Sequence, residues 1–520
     1  MTAAGQSLYK ACQPLDSWLF VAVVSLPSRG ETLAKAVFNP LTREEENVVH
    51  AESIRILNEV GIKVTSARLL KMLEDHGADV DHKTQIARIS EELVKAAIAK
   101  APKEFKMCGR DESQDIELPS LGGVQGVNDG QPTDVWDIDT QGKRKSTMND
   151  LIDLTVVCDA MPEVELYWPE VVATDLPPSV SNVHEYAASA VFTGKHVQHG
   201  AGDLVDAKYL IRIASAIVGS EKELSKRPVI SLTHTPITPL LFNEGDIEAA
   251  VMFSRAGLPV VHLSMAISGS VCPVTLAGTV ALVNAENLGG AVITELAAPG
   301  APILYSSESG PMDMRTGVFL SGSTEGALIN AAGCQMARRY KLPSQVGGLA
   351  ASGTVPGYEV GYQKAISALI PAMAGADQIV GIGGFDRSGC ESVEQVVLDC
   401  ELWRNVLRAQ RGIKVDKETL AFDAISRVGP GGYFMKDIHT LRNFKSEVLL
   451  PKIAMRQCPR ETKEEPIRAA AREDVRRLLR EHKPAPMEKS VKQEVKDILK
   501  EYDAELRVKP VPTGYLDRLG

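Results

Sequence analysis

Between about Gly122 and Arg411 the chain alternates between two hydrophobic patterns: short, nearly continuous apolar runs, and longer stretches in which apolar positions recur every three to four residues. The apolar runs read as strands at Val124–Asn128, Glu165–Val172, His196–Gly200, Val229–His234, Val260–Met265, Ile303–Glu308, Gln345–Leu349 and Gln378–Phe385. A polar or glycine-rich corner follows each, then a helix pattern starting near Thr147, Ser181, Asp203, Asn243, Thr275, Thr324, Glu359 and Ser392. Only the first unit is interrupted, by a hairpin over Val135–Asp139 that turns at Gln141-Gly142. Near-continuous apolar strands alternating with amphipathic helices predict a parallel sheet covered on both faces. Doubly wound sheets share that alternation, but eight repeats is the number a closed (β/α)8 TIM barrel requires, so an α/β barrel is the expected fold class.

The flanks follow other rules. Thr42-Arg43-Glu44-Glu45 reads as a capping box ahead of Ala51, Ile54, Leu57 and Val60. Further helix patterns begin near Ser66 and after Ser90 and run to Pro102. The expected division is an N-terminal extension over 1–35, an α-rich cap over 36–120, the barrel over 121–440 and a charged helical C-terminal extension over 441–520. Charge runs such as Lys463-Glu464-Glu465 read as a solvated helix face, with a docking surface as the subordinate reading. Trp18–Leu26 is apolar, but only Lys10 and Asp16 flank it upstream and no small-x-small cleavage site follows cleanly, so it reads as an extension and not a secretory signal. No run is expected to reach the roughly 20 apolar residues of a membrane span.

Composition narrows the function classes. The 57 Lys and Arg against 67 Asp and Glu argue against a dedicated nucleic-acid binder. The 8 cysteines, at 12, 108, 158, 272, 334, 390, 400 and 458, form no CxxC pair and read as reduced thiols of a cytoplasmic protein.

A barrel places its chemistry at the C-terminal ends of the strands. Those ends carry Asn128 and Asp129, Tyr167 to Glu170, Gln198 and His199, Thr233 and His234, Ser264, Glu308, Leu349 and the loop to Gly357, and Phe385. His196-x-x-His199 with His234 could supply three imidazoles to a metal. Residues three apart on a strand point to opposite faces, however, so no metal is expected and the histidines read as polar lining groups. Gly347-Gly348-Leu349-Ala350-Ala351-Ser352-Gly353 lacks the order of a phosphate loop, and a mobile active-site loop suits it equally well. Tyr167, Trp168, Tyr305, Tyr358, Tyr362 and Phe385 each read singly as core. Gathered at one mouth they could cage an ammonium group through cation–π attraction.

Four longer segments carry a resemblance. They are Asp139-Thr-Gln-Gly142-Lys-Arg144-Lys-Ser-Thr147-Met-Asn-Asp150, Met312-Asp313-Met314-Arg315-Thr316-Gly317 with Gly322-Ser323-Thr324-Glu325, Pro356-Gly-Tyr-Glu-Val-Gly361-Tyr362-Gln363-Lys364, and His439-Thr-Leu-Arg442-Asn443-Phe444-Lys-Ser446-Glu447. Together they resemble signatures of the trimethylamine methyltransferase family, from roughly Leu41 to the C-terminus. The resemblance departs at Gly357, where an acidic residue is common, and at Gln363, where Glu is common. It implies a barrel that moves a methyl group from a methylated amine to the cobalt of a corrinoid on a separate partner protein. Relatives that act on trimethylamine carry pyrrolysine, and Leu349 or a near neighbour stands at the corner where it would fall. Members without pyrrolysine resemble methyltransferases for quaternary amines such as glycine betaine, which are already cationic and need no special electrophile. Tertiary-amine transfer and a non-catalytic betaine-binding barrel are the alternatives. On this reading Tyr167, Trp168, Tyr305 and Phe385 surround the ammonium; His199, His234 and Arg315 bind the carboxylate; and Asn128 and Glu308 orient the substrate. His234 and Glu308 are the candidate catalytic residues, and Leu349 lines the substrate site. Pairing of Arg315 with Asp313 or Glu308 is an equally open role. A homo-oligomer is plausible for a barrel of this size.

Overall fold

The computed structural model describes residues 38–120, 123–454 and 465–518. The apolar run Trp18–Leu26, Cys12 and Cys458 lie outside the described residues. Eight parallel strands close into a barrel: β1 Gln125–Asn128, β2 Leu166–Tyr167, β3 His196–His199, β4 Ile230–His234, β5 Val260–Ser264, β6 Ile303–Ser307, β7 Ser344–Gly347 and β8 Gln378–Ile382. Each pairs with its neighbours in chain order, and β8 closes on β1 through Gln378↔Gln125 and Val380↔Val127. The intervening helices are α1 Met148–Ala160, α2 Ser181–Phe192, α3 Leu204–Val218, α4 Glu244–Arg255, α5 Leu276–Ala297, α6 Thr324–Tyr340, α7 Tyr358–Met373 and α8 Val393–Gln410. Their starts are chemically marked. Thr147 closes a capping box with Asp150, and Asp203, Ser323 and Ser392 accept from the first free backbone amides.

Two strands end three or more residues before their apolar runs, each for a local reason. At β2 the ladder is continued by a side chain: Asn128 Oδ1 accepts from Trp168 N at 2.7 Å while its Nδ2 donates to Trp168 O. At β8 a bulge between Val380 and Ile382 redirects the chain, and Gly384–Phe385 joins a separate sheet above the barrel with Cys390–Glu391, Asp134–Asp137 and Gly142–Lys145.

The barrel interior is layered. Low in it, amides form a chain: Gln198 to Gln345 at 2.9 Å, Gln345 to Gln378 at 2.9 Å and Gln378 to Gln125 at 3.0 Å. Val127, Leu166, Val261, Leu263, Leu304 and Val380 make an apolar cluster with Met107, Ile116 and Leu118. The last three belong to the hairpin Phe105–Met107/Ile116–Leu118, which plugs the N-terminal end. The opposite, C-terminal end is therefore the open one.

Where helices dominate the expectation for residues 36–120, strands also form. Ile62–Val64, Asp79–Asp81 and Ile86–Arg88 build a four-stranded sheet with Leu241–Phe242 from the β4–α4 connection. These runs are three residues long or fewer, too short for a hydrophobic period to declare them. Another expectation fails at α5. Its 22 residues are long and apolar enough to cross a membrane, with 83% of the apolar window buried inside the fold. The helix is buried on nearly every face because β5, β6 and the helices Arg43–Arg55 and Glu91–Lys100 enclose it. The charged C-terminal helices fold back on the barrel: Arg468 binds Glu394 at 2.6 Å, His482 binds Asp159 at 2.7 Å, and Tyr502 donates to Asp206 at 2.5 Å. Six cysteines, Cys108, Cys158, Cys272, Cys334, Cys390 and Cys400, are free thiols.

Candidate active site

The strand alternation decides which strand-end side chains enter the mouth. Val127 and Leu166 point inward, so Asp129 and Trp168, two positions on, do so as well. Trp168 is fixed by the Asn128 amide on both its backbone groups, and Gly130 lies flat against its ring: a Cβ there would stand 2.8 Å from Cδ2. Glu308, the residue after β6, is held by its backbone amide on Ser264 O at 3.0 Å. Gly347 on β7 makes room for it, since a Cβ there would come within 3.1 Å of Glu308 Cγ.

The mouth is rich in carboxyl groups. Asp129 is buried, accepting from Ser388 Oγ at 2.7 Å and Gly130 N at 2.9 Å. Glu308 Oε1 is sealed from solvent with no partner. Burial, with the Asp129 charge nearby, pushes this carboxyl up to about 8. Burial also raises Asp129. Behind them Glu170 accepts from the Cys158 thiol at 2.9 Å and Glu391 has no partner on either oxygen; burial holds both well above the usual carboxyl range. Lys364 is the buried cation of this region. Its Nζ is committed to Asp399 at 2.7 Å, Leu349 O at 2.6 Å and Gly381 O at 2.8 Å, so it clamps the loop after β7 to the β8 bulge.

Beside Trp168 opens a cavity of about 210 Å³ lined by Gln131, Asn182, Gly200, Thr233, Thr235 and Asp246. Trp168 Nε1 and Thr233 Oγ1 are buried donors without a partner. Asp246, whose Oδ2 accepts from Thr235 N at 3.0 Å, is raised to about 7 by burial. This volume suits a molecule of a few heavy atoms. The loops around the mouth expose apolar side chains to solvent, among them Met265, Val274, Met314, Val355 and Tyr358. Among the described residues no group of three His, Cys, Asp or Glu side chains is gathered to hold a metal ion.

Of the residues the sequence nominates, the structure brings Trp168 and Glu308 into the mouth and sends most others elsewhere. Tyr167 faces outward, its hydroxyl 2.8 Å from Thr155 on α1. Tyr305 also faces outward, against α6 at Gly333. Phe385 is buried in the upper sheet, edge-on to Trp136 at 6.3 Å, so the expected aromatic cage reduces to Trp168. His199 turns outward to Asn182 O at 2.8 Å and burial lowers it to about 4, while His196 points inward to Ser231 at 2.9 Å. That is the opposite-face geometry expected of residues three apart. His234 also lies outside the barrel, stacked on Phe242, 3.1 Å from His262 and 3.8 Å from Asp246, and burial lowers it to about 3. Arg315 sits in the turn after Gly310–Asp313, 89% exposed and bidentate to Asp313 at 3.0 Å, so the pairing alternative describes it. Asn128 is spent on the Trp168 backbone, and orients that residue instead of a ligand. Leu349 is fully buried in left-handed backbone, φ 46°, a conformation costly for a branched side chain. Gln131, Asp246 and Glu391 lie off the barrel strands, on loop, helix and hairpin, where strand-end position gives no cue. Asp129 and Thr233 are strand ends to which the sequence alone assigns no role.

A family model described as trimethylamine methyltransferase (MTTB) matches residues 26–506. A "Trimethylamine methyltransferase MttB" of Desulfitobacterium hafniense (strain DSM 10664 / DCB-2) is 34% identical over 408 residues, covering 78% of this chain and 81% of that protein. One from Methanosarcina barkeri is 32% identical over 419 residues, covering 79% and 84%. A "Glycine betaine methyltransferase" of Desulfitobacterium hafniense (strain Y51) is 28% identical over 429 residues, covering 82% and 88%. Among solved structures, a hydroxylamine complex of MtmB shares the fold, at TM-score 0.50 and 14% identity over 94% of this chain and 89% of that one. With a family match across most of its length and a carboxyl-lined mouth at the open end of its barrel, this chain belongs to the trimethylamine methyltransferase family.

Proposed function

We propose that the chain transfers a methyl group from a small cationic amine, of the quaternary, glycine betaine-like kind, to the Co(I) corrinoid of a separate protein docked over the barrel mouth. The observation that carries this reading is the charge of the mouth. Asp129 and Glu308 stand at the mouth, Asp246 lines the cavity beside Trp168, and the lysine of this region is already bound by Asp399. Carboxyl groups raised by burial regain their ordinary acidity when a cation enters, so the site attracts an ammonium and favours its desolvation. The Trp168 ring adds cation–π attraction. The corrinoid, when presented, supplies the cobalt nucleophile. The N–CH3 bond breaks with its electron pair staying on nitrogen, which leaves as a neutral tertiary amine. The chain's own part is to aim the methyl group outward, exclude water and hold the departing amine. The apolar rim of Met265, Met314 and Tyr358 supports docking of a protein over this face.

A tertiary amine is the second reading, favoured by the higher identity to relatives named for trimethylamine, 34% against 28%. The test is to incubate the protein with the reduced corrinoid protein and a panel of methylated amines, following methyl-cobalt absorbance. Signal with quaternary amines supports the proposal, signal with tertiary amines alone selects the second reading, and no signal with any amine overturns both.

A further inference from the structure

A groove of about 990 Å³ runs between the helix Arg43–Arg55, the helix Glu91–Lys100 and the C-terminal end of α6. Because α6 stops at Tyr340 and β7 begins at Ser344, the groove lies at the N-terminal end of the barrel, away from the mouth. Six basic side chains line it, Arg43, Lys95, Lys103, Arg338, Arg339 and Lys341, against one carboxylate, Glu46, which accepts from Gln335 Nε2 at 2.8 Å. Lys95 pairs with Glu91 at 2.8 Å; among the described residues the other five have no ion pair. Elsewhere on this surface bases find acids, as where Arg212 meets Glu501 at 2.6 Å and Lys208 meets Glu505 at 2.7 Å. In the groove the acceptors are neutral. Arg338 donates to Asn39 Oδ1 at 3.2 Å and to Ala374 O, Arg339 to Asn47 Oδ1 at 2.6 Å, and Lys103 to Ile98 O at 2.5 Å.

A helix C-terminus attracts cations, which accounts for Arg338 and Arg339 in the last turn of α6. It does not account for Arg43, which opens its helix, where the dipole works against a positive charge. The charges also oppose one another. Burial lowers Lys103 and His50, and the neighbouring Lys341 and Arg339 charges lower each further. Glu295 favours the Lys103 charge, but burial raises that carboxyl to about 7. Positive charge gathered in this way is unfavourable until an anion offsets it. A neutral donor joins the bases: Asn284 Nδ2 donates to the Tyr340 hydroxyl at 2.9 Å, and that hydroxyl meets His50 Nδ1 at 2.9 Å, which leaves the His50 Nε2–H for a ligand. Leu41, Val94, Ile98 and Ala99 make the remainder of the lining apolar. The volume is at the upper end for small-molecule sites and far exceeds a single phosphate or carboxylate. A long nucleic acid would be repelled by a chain of net charge −10. Arginine forks match phosphate oxygens two at a time, and several unpaired bases call for several anionic groups on one ligand.

We infer that this groove binds a small molecule carrying a polyphosphate chain, its phosphates drawn between Arg338 and Arg339 of α6 and Arg43 and Lys103 of the N-terminal region. Isothermal titration calorimetry with thermal-shift measurements of the full-length chain tests it, in magnesium-free buffer at about 150 mM salt, where screening suppresses loose surface attraction. Tripolyphosphate and ATP are expected to bind at one site per chain with Kd below about 1 mM, and inorganic phosphate at least about tenfold more weakly. ATP bound more tightly than tripolyphosphate places its ring on the apolar lining, and equal affinities mean that the phosphate chain alone is read; either supports the site. Arg43→Gln with Arg339→Gln is expected to weaken both ligands at least about tenfold with unchanged far-UV circular dichroism. Should that variant not fold, Ala99→Trp decides: it narrows the groove without changing its charge and is expected to weaken ATP by at least about tenfold. Binding is read without methyl transfer, so the result stands apart from the reaction at the mouth. No binding of either polyphosphate, inorganic phosphate bound as tightly, unchanged affinity in a folded variant, or a single-stranded oligonucleotide bound more tightly than both overturns the inference.

Discussion

Glu308→Gln separates stability from function at one atom. The carboxyl has an unpartnered, sealed Oε1, and burial raises it from 4.5 to about 8. Because the native chain holds this proton more tightly than the unfolded chain, stability declines as pH rises from about 4.5 to about 8. At pH 7 that interval spans about 2.5 pH units, or about 3 kcal/mol at 1.36 kcal/mol per unit, and at pH 5 it is about 1 kcal/mol. Glutamine keeps the shape that Gly347 accommodates and cannot ionise, so it should stabilise the fold by more at pH 7 than at pH 5. The same substitution removes the charge that faces the ammonium, a loss of about 2 kcal/mol or roughly thirtyfold in methyl transfer, taking the strength of a charged contact as the guide. Unfolding midpoints of both proteins at pH 5 and pH 7, with initial rates of methyl transfer, provide the assay. Calorimetry in two buffers of different ionisation enthalpy adds a third readout: the wild-type chain should release close to one proton at pH 7 as a cationic amine binds, and the variant less. A variant whose midpoint gain is equal at the two pH values, or which transfers methyl at the wild-type rate, would refute the reasoning.

Two further outcomes are expected. Lys364→Met should destabilise the chain by about 3–5 kcal/mol, because it leaves Asp399 buried without its cation and frees the Leu349 and Gly381 carbonyls; adding Asp399→Asn should recover part of that loss, as urea unfolding would show. Arg315→Ala should leave methyl transfer within about twofold and stability within about 0.5 kcal/mol, since the exposed guanidinium binds only Asp313 in its own turn. A large loss of transfer in that variant would mean that the turn folds over the mouth during reaction.

The candidate site was only partly legible in the sequence. Strand ends located Trp168 and Glu308, because a closed barrel gathers such positions at one rim. The same rule nominated His234, Tyr167 and Tyr305, which sit at odd steps of the strand period and face the helices instead. A one-residue difference in phase exchanges the inside of a barrel for its outside, and apolar runs buried on both faces carry no alternation from which phase could be read. Asp246 and Glu391 enter from α4 and the upper hairpin, so strand ends gave no cue to them.

By itself the sequence determined the eight strand–helix units, the caps that begin several of the helices, and the family. Those depend on local periodicity and on segments long enough to be distinctive. Only the tertiary structure decided which side chains share the mouth, that its carboxyl groups are desolvated, and that Arg315 is spent on Asp313. The first two are relations between positions tens to hundreds of residues apart. Burial, which sets charge state, exists only once the chain has closed.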